Sequence, residues 1–310
     1  MDDRGISQAR EAVRDLEMFG SLDHDDIAIT RLGGLTNLVF RVDHGGERYV
    51  LRLLGKGTEE YIDRTSEAQA AREAAKAGVS PEMLHADAAT GIMVTRLIDD
   101  AATMSPEKFK SLAGAPARAG EAFRKLHGSG AKFNFRFELF AMIDDYLKVL
   151  STKDVALPAG YRDVLREAET VRTALAARPP PNVACHCDPL CENFLDTGKR
   201  MWIVDWEYSG MNDPLWDLGD LSVEGRFTAE QEEEMIHAYF GSEPTAAERG
   251  RIVIYKAMCD LLWTLWGLIQ HANKNPADDF WAYAINRFNR CEILMASPEF
   301  AGHVAAVARG

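Results

Sequence analysis

The chain has 310 residues, 46% hydrophobic and 27% charged, which suits one large domain or two lobes with their own cores. Its formal net charge of −13 offers no basic face for nucleic acid and disfavours that class of partner. Such an acidic chain is compatible with a small cationic substrate, although net charge alone is weak support. The first twenty residues are amphipathic and acidic, unlike a secretory leader. Five cysteines, an odd number, then point to reduced thiols and a cytoplasmic protein. The most apolar run, 253–270, contains Lys256 and Asp260, so it reads as a buried helix and not a membrane insertion.

In chain order, 11–19 suggests a short amphipathic helix. Runs with strand character follow at 27–32, 38–43 and 48–54. Gly33 and Gly34 separate the first two, and "HGGE" (44–47) makes a hairpin turn between the second and third. A helix fits 61–77, ended by Gly78 with Pro81 beyond, and 91–98 is a further strand. The chain then becomes helical at 106–127, 138–150, 161–177, 228–240, 246–272 and 278–296. A β-rich island, "NVACH", "NFLD" and "MWIVDW", interrupts these helices between 182 and 206. "RPPPN" (178–182) ends the preceding helix and leads into it. The fold class is therefore α+β: a small antiparallel sheet plus one helix, then a larger, mainly helical part. A cleft between two such lobes is a common place for a small-molecule site.

The island contains "HCDPLCEN" (186–193). One reading is a metal clasp from Cys185, His186, Cys187 and Cys191. Structural zinc sites pair two knuckles, and only Cys187 and Cys191 have knuckle spacing. Buried packing is the commoner use of such cysteines. The other reading is a phosphoryl-transfer loop. That chemistry needs a carboxylate to orient the attacking hydroxyl and accept its proton, and hard oxygen ligands for Mg²⁺. Asp188 suits the first role, Asn193 and Asp205 the second. Their spacing matches the Asp-x4-Asn of a kinase catalytic loop, followed by an Asp after a strand. A hairpin turning at "DTGK" (196–199) would bring Asn193 and Asp205 together.

In the amino-terminal part, "GGLTN" places Gly33, Gly34, Thr36 and Asn37 between two strands, where backbone could approach phosphates. Arg52 on the third strand offers a planar fork for phosphate oxygens. Glu67 on the next helix is its first candidate partner, and Glu73 the second.

The segments "GGLTNLVFRV", "LRLLGKGTEEYIDR", "HCDPLCENFL" and "IVDWEYSGMNDPLWDLGDLSVE", with "WTLWGLIQ", resemble the choline/ethanolamine kinase family, nearest its bacterial choline kinases. That family lies in the aminoglycoside-phosphotransferase branch of the protein-kinase-like fold. The resemblance spans roughly residues 25–290. It implies a bilobal protein-kinase-like fold, with a nucleotide-binding lobe over 1–98 and a catalytic and substrate-binding lobe over 99–310. It implies ATP and Mg²⁺ as cofactors and a small cationic alcohol as the partner. Asp188 would be the base, Asn193 and Asp205 would hold Mg²⁺, and Glu207 would lie close enough either to join them or to contact the substrate. Arg52 would stand where protein kinases use Lys, paired with Glu67. Arg96 and Ile98 would lie beside adenine, and Asp217 would brace the catalytic loop. Cys187 replaces the Arg of the protein-kinase motif, which implies no activation-loop switch.

A quaternary ammonium group has no N–H to donate and is recognised by π-faces and diffuse negative charge. Trp263 and Trp266 share one helix face at i, i+3. Tyr208 and Tyr283 add rings, and Glu224 adds charge. Taken alone, the two Trp read as core; the resemblance makes them a choline cage. Choline is the expected acceptor, with ethanolamine, thiamine or an aminoglycoside as alternatives. A non-catalytic nucleotide-binding member of the fold is the rival of a different class.

Overall fold

The computed structural model describes residues 5–20, 27–33, 37–55 and 62–310. Gly34 and Thr36 of the expected nucleotide loop, and the first residue of the helix expected at 61–77, lie outside these.

Five strands build the amino-terminal sheet: β1 (Ala28–Gly33), β2 (Leu38–His44), β3 (Glu47–Leu53), β4 (Met83–Ala86) and β5 (Met93–Arg96). They are antiparallel, in the order β1-β2-β3-β5-β4. His44 pairs with Glu47 across Gly45 and Gly46, whose φ angles of 60° and 80° suit the two-residue turn that matches strand twist. Strand alternation buries Phe40, Val42, Leu51 and Val94 on one face. That face packs on Ala9, Ala12 and Val13 of α1 (Ile6–Asp15) and on Phe19. The expected helix at 11–19 thus begins earlier, and its end is a separate 3₁₀ turn over Glu17–Phe19.

The opposite face carries Arg52 and Met93 side by side and meets α2 (Arg64–Lys76). Asp63 caps α2, accepting from the Thr65 and Ser66 amides at 2.9 and 3.4 Å. Ala68, Ala71 and Ala74 of α2 join the larger hydrophobic core, which continues into the carboxy-terminal part. Strand β4 is not legible in "PEMLHAD": four residues are too few for alternation to show.

The remainder comprises β6 (Ala102–Thr103), α3 (Pro106–Ser111), α4 (Ala115–His127), α5 (Leu139–Leu150) and α6 (Tyr161–Ala177). The island follows as β7 (Val183–Cys185), β8 (Phe194–Asp196), β9 (Met201–Ile203) and β10 (Gly210–Asn212). Five helices complete the chain: α7 (Leu215–Glu224), α8 (Ala229–Phe240), α9 (Ala246–Ala272), α10 (Phe280–Met295) and α11 (Phe300–Arg309). The expected helix at 106–127 is two helices. The chain leaves α3 at extended Leu112 and re-enters through Gly114, whose φ of 73° no helix tolerates. Thr228 and Thr245 form capping boxes with Gln231 and Glu248, setting the starts of α8 and α9 close to the expected residues.

Helix α9 is the axis of the lobe, packing against α5, α7, α10 and α11. It is long and apolar enough to cross a membrane, and most of its apolar stretch is buried inside the fold. It packs tightly on α7 at Gly219, where an added Cβ would lie 2.8 Å from the Ile252 carbonyl oxygen and 2.9 Å from Tyr255 Cβ. Because the clash includes backbone, Gly219→Ala must push α7 outward. The expected cost is about 1–3 kcal/mol, read as a lower Tm in thermal melts.

Candidate active site

The island forms two small sheets that present one loop. β8 and β9 are an antiparallel hairpin pairing Phe194 with Ile203. One step beyond, the Val204 amide donates to the Asn193 carbonyl at 2.9 Å. Asn193 and Asp205 are thus neighbours across the hairpin mouth, as the spacing predicts. β7 pairs with β10 in a second sheet and leads directly into His186–Asp188.

Asp217, fully buried on α7, holds this loop by its backbone. Its Oδ2 accepts from the His186 amide and its Oδ1 from the Cys187 amide, both at 2.8 Å. His127 Nε2 lies 3.0 Å from the same Oδ2, while Nδ1 lies 3.0 Å from the Tyr239 hydroxyl. With a carboxylate on one side, Nε2–H donates and Nδ1 accepts from Tyr239. The Trp216 indole donates to the Cys187 carbonyl at 3.0 Å. These bonds restrain Cys187 at φ 69°, a left-handed conformation that costs on the order of 1–3 kcal/mol. Asp205 has a similar φ of 66°. His186 Nε2, donating to the Val204 carbonyl at 2.9 Å, ties the loop to the hairpin.

Asp188 emerges from the loop, and the Asn193 side-chain amide donates to its carbonyl at 3.1 Å. Burial, together with the nearby carboxylates of Glu224 and Asp205, pushes the Asp188 carboxyl up to about 8.

Beneath the sheet, Glu67, Asp205 and Glu207 converge, with a ligand oxygen of each within 4.8 Å of the others. Arg52 forms an ion pair with Glu67 and lies 3.9 Å from Asp205. Glu73 instead pairs with Lys76 at 2.7 Å on the surface, so Glu67 is the partner of Arg52. Arg64, which the sequence reading missed, lies 2.7 Å from Glu67 and 3.6 Å from Glu207. Its signal was the i, i+3 spacing to Glu67 on α2. Asn37 Nδ2 reaches Glu207 at 3.4 Å. Burial raises Asp205 and Glu207 above the ordinary carboxylate range. Asp205 Oδ1 is buried without a hydrogen-bond partner among the described residues, as are Nε and Nη2 of Arg52.

Arg96 lies at the end of β5 with its guanidinium against Glu47 and Glu82, at the protein surface. Its amide donates to the Glu82 carbonyl and that of Leu97 to the Arg48 carbonyl, at 2.9 and 3.0 Å. Both donors are therefore used within the amino-terminal part, and half-buried Ile98 follows them. Gly33 ends β1.

The expected aromatic residues do assemble. Tyr208 meets Trp263 edge-on at 5.4 Å between ring centroids, Trp263 meets Trp266 at 6.5 Å, and Trp266 meets Tyr283 at 5.7 Å. Trp266 also packs on Phe280 at 5.5 Å, and its buried indole N–H has no partner among the described residues. Glu224 is paired with Arg287, whose guanidinium carbon lies 4.7 Å over the Tyr283 ring. Arg287 was not singled out in the sequence, although it follows Tyr283 by four on α10 and shares its face.

The metal-clasp reading fails on geometry. All five cysteines are buried and free, and each thiol is pushed above its usual range by burial. Cys187 Sγ donates weakly to main-chain carbonyls instead of meeting Cys191. A different group, His127, Cys185 and Asp217, is close enough for a metal, but Asp217 and His127 are already engaged with the loop and Tyr239.

A hairpin-borne Asn and Asp beside a braced Asp loop, under a five-stranded sheet bearing an Arg–Glu pair, define a protein-kinase-like small-molecule phosphotransferase. Residues 28–253 match the model of the phosphotransferase enzyme family. A choline/ethanolamine kinase family protein from Mesorhizobium loti is 68% identical, over 98% of this chain and 99% of that one, with a TM-score of 0.89. The chain belongs to the phosphotransferase enzyme family and, within it, to the choline/ethanolamine kinases. It is also similar to the choline kinase LicA of Streptococcus pneumoniae, at 26% identity, 94% and 98% coverage and a TM-score of 0.75. Mouse ethanolamine kinase 1 is 24% identical, over 78% of this chain and 75% of that protein.

The raised Asp188 carboxyl has a consequence for stability. An ordinary Asp titrates near ~4 in the unfolded chain. Between that value and about 8, the folded protein keeps a proton that the unfolded chain releases, so Asp188 lowers stability as pH rises through this window. Asp188→Asn should therefore melt several degrees above wild type at pH 8.5, with the gap narrowing steadily toward pH 5. Thermal melts across that range without nucleotide check this.

Proposed function

We propose that the chain transfers the γ-phosphoryl group of ATP to the hydroxyl of a small amino alcohol, with choline as the first candidate. The observation that carries this reading is that Asp188 lies near enough to Asp205 and Glu224 to be acted on by their charges, and that Glu224's partner Arg287 lies over Tyr283, the last of the linked rings of Tyr208, Trp263, Trp266 and Tyr283. An aromatic wall suits a cation that cannot donate hydrogen bonds.

In this reading Asp188 orients the acceptor hydroxyl and takes its proton as the O–P bond forms. Its elevated carboxyl favours proton acceptance near neutral pH once substrate charge helps to ionise it. Arg52, with Nε and Nη2 unpartnered and Glu67 fixing Nη1, presents its fork to nucleotide phosphates. Gly33 and Asn37 would approach them from the strand connection, and Arg96 and Ile98 would mark the adenine side. Support for ATP comes from the family and from the related LicA solved in complex with AMP, which is 26% identical.

The residues present fit Mg²⁺. Asp205 offers a buried carboxylate oxygen with no hydrogen-bond donor, and Asn193 and Glu207 add hard oxygen ligands nearby. When bound, the ion would supply neutralisation of phosphate charge. Glu67 belongs to the same carboxylate group, but its two arginine partners leave it to the Arg52 fork. The division into a nucleotide-binding lobe over 1–98 and a substrate lobe over 99–310 is part of the same proposal, as is a cytoplasmic location.

Purified protein with Mg·ATP should release ADP when choline is added, and Asp188→Ala should reduce this at least about a thousandfold. Unchanged turnover in that variant would remove the assignment. Trp263→Ala should raise KM more for choline than for ethanolamine, because a primary ammonium relies more on carboxylates than on ring faces. Equal KM values to wild type for both alcohols would sink the cage. A coupled ADP-release screen over choline, ethanolamine, thiamine and aminoglycosides ranks the acceptors.

A further inference from the structure

Helix α7 carries three carboxylates, Asp217, Asp220 and Glu224, spaced i, i+3 and i+7 and therefore on one face. Asp217 is taken up by the catalytic-loop amides and His127. Glu224 is taken up by Arg287. Asp220, between them, is fully buried, and neither of its oxygens has a hydrogen-bond or ion-pair partner among the described residues. A buried carboxylate normally has a partner, because desolvation without one is costly.

The charges around the acceptor side of the site show what is missing. Arg287 bridges Glu224 and Asp260, at 3.1 Å to the latter, and Arg290 reaches Asp260 at 2.9 Å. Two guanidinium groups thus balance two carboxylates. Asp220 is left over, next to Asp188 and Glu224 on one side. On the other side is α9, where it is the charge acting most strongly on the Cys259 thiol. Cys259 lies one helical turn before Trp263, so Asp220 faces the same stretch of α9 that bears the aromatic residues.

We propose that Asp220 is the counter-charge held in reserve for the cationic end of the acceptor, setting the preference for a charged alcohol over a neutral one of the same shape. The inference rests on the amino-alcohol kinase reading and deepens it. Being fully buried, Asp220 acts through space as a positioning residue and not by contact. In a water-poor setting a unit charge acts over several ångströms with far less screening than in bulk solvent. Asp188 from the loop, Asp217 and Glu224 from α7, Cys259 from α9 and Arg287 from α10 face it. Burial and the neighbouring carboxylates hold Asp220 well above the ordinary range, so the free protein keeps its proton and an arriving cation favours its loss.

The test compares wild type with Asp220→Asn, an isosteric change without the charge, on choline and on its neutral carbon isostere 3,3-dimethylbutan-1-ol. Ethanolamine and propan-1-ol replace them if ethanolamine is the better acceptor. The variant should lose kcat/KM for the cationic alcohol by on the order of tenfold, mainly through KM, and keep that for the isostere and the KM for ATP. A merely structural role would lower both alcohols alike, and that result overturns the proposal, as does no change for either. Asp220→Asn should melt no lower than wild type, because it removes no bond. A lower Tm or failure to fold would reveal a protein partner for Asp220 and overturn the proposal too. A wild type that turns over no amino alcohol overturns the kinase reading itself, an outcome distinct from equal loss in an active enzyme's variant.

Discussion

The site depends on one buried carboxylate, Asp217, accepting from two consecutive main-chain amides of the loop. An amide aimed into a protein interior needs an acceptor, and here both are met by one rigid side chain. That pairing holds Cys187 in a left-handed turn and so fixes the direction in which Asp188 leaves the chain. Asp217 is in turn fixed by α7, and α7 by its close approach to α9 at Gly219. The placement of half-buried Asp188 therefore traces back to the packing of two helices.

Carboxylates outnumber their partners around the candidate site, and this shapes its electrostatics. Arg52 and Arg64 share Glu67, Asp205 and Glu207; Arg287 and Arg290 share Glu224 and Asp260; Asp188 and Asp220 have no arginine of their own among the described residues. Each excess acid raises its neighbours. The surroundings of these acids thus favour added positive charge, whether from a metal or an ammonium group. An arginine already stacked over Tyr283 shows that these rings tolerate a cation face-on.

Features set by neighbouring residues were readable in the sequence. The hairpin joining Asn193 to Asp205 followed from a turn between two short apolar runs, and helices α6 and α9 match their expected spans. The Trp pair on α9 was readable as a face, although only packing brings Tyr208 and Tyr283 to it. Short elements were not readable: β4, β6 and β10 have too few residues for a period. Helix α7 was hidden because it is buried on nearly all sides, which erases the amphipathic signal. The break at Gly114 was missed because apolar spacing continues across it. Long-range contacts such as His127 with Asp217, Arg64 with Glu207 and Arg287 with Glu224 are set by how elements pack, which no local pattern encodes.

The five cysteines bear on the chemistry the protein can survive. Cys187 stands immediately before Asp188, so a modified thiol there would distort the loop. Yet every thiol is buried and disfavours its thiolate, the form that attacks electrophiles and peroxides. The same desolvation that makes the cleft's acids reluctant to ionise therefore shields the adjoining sulfur from oxidants. A loop rich in cysteine is, in this fold, chemically quiet at sulfur.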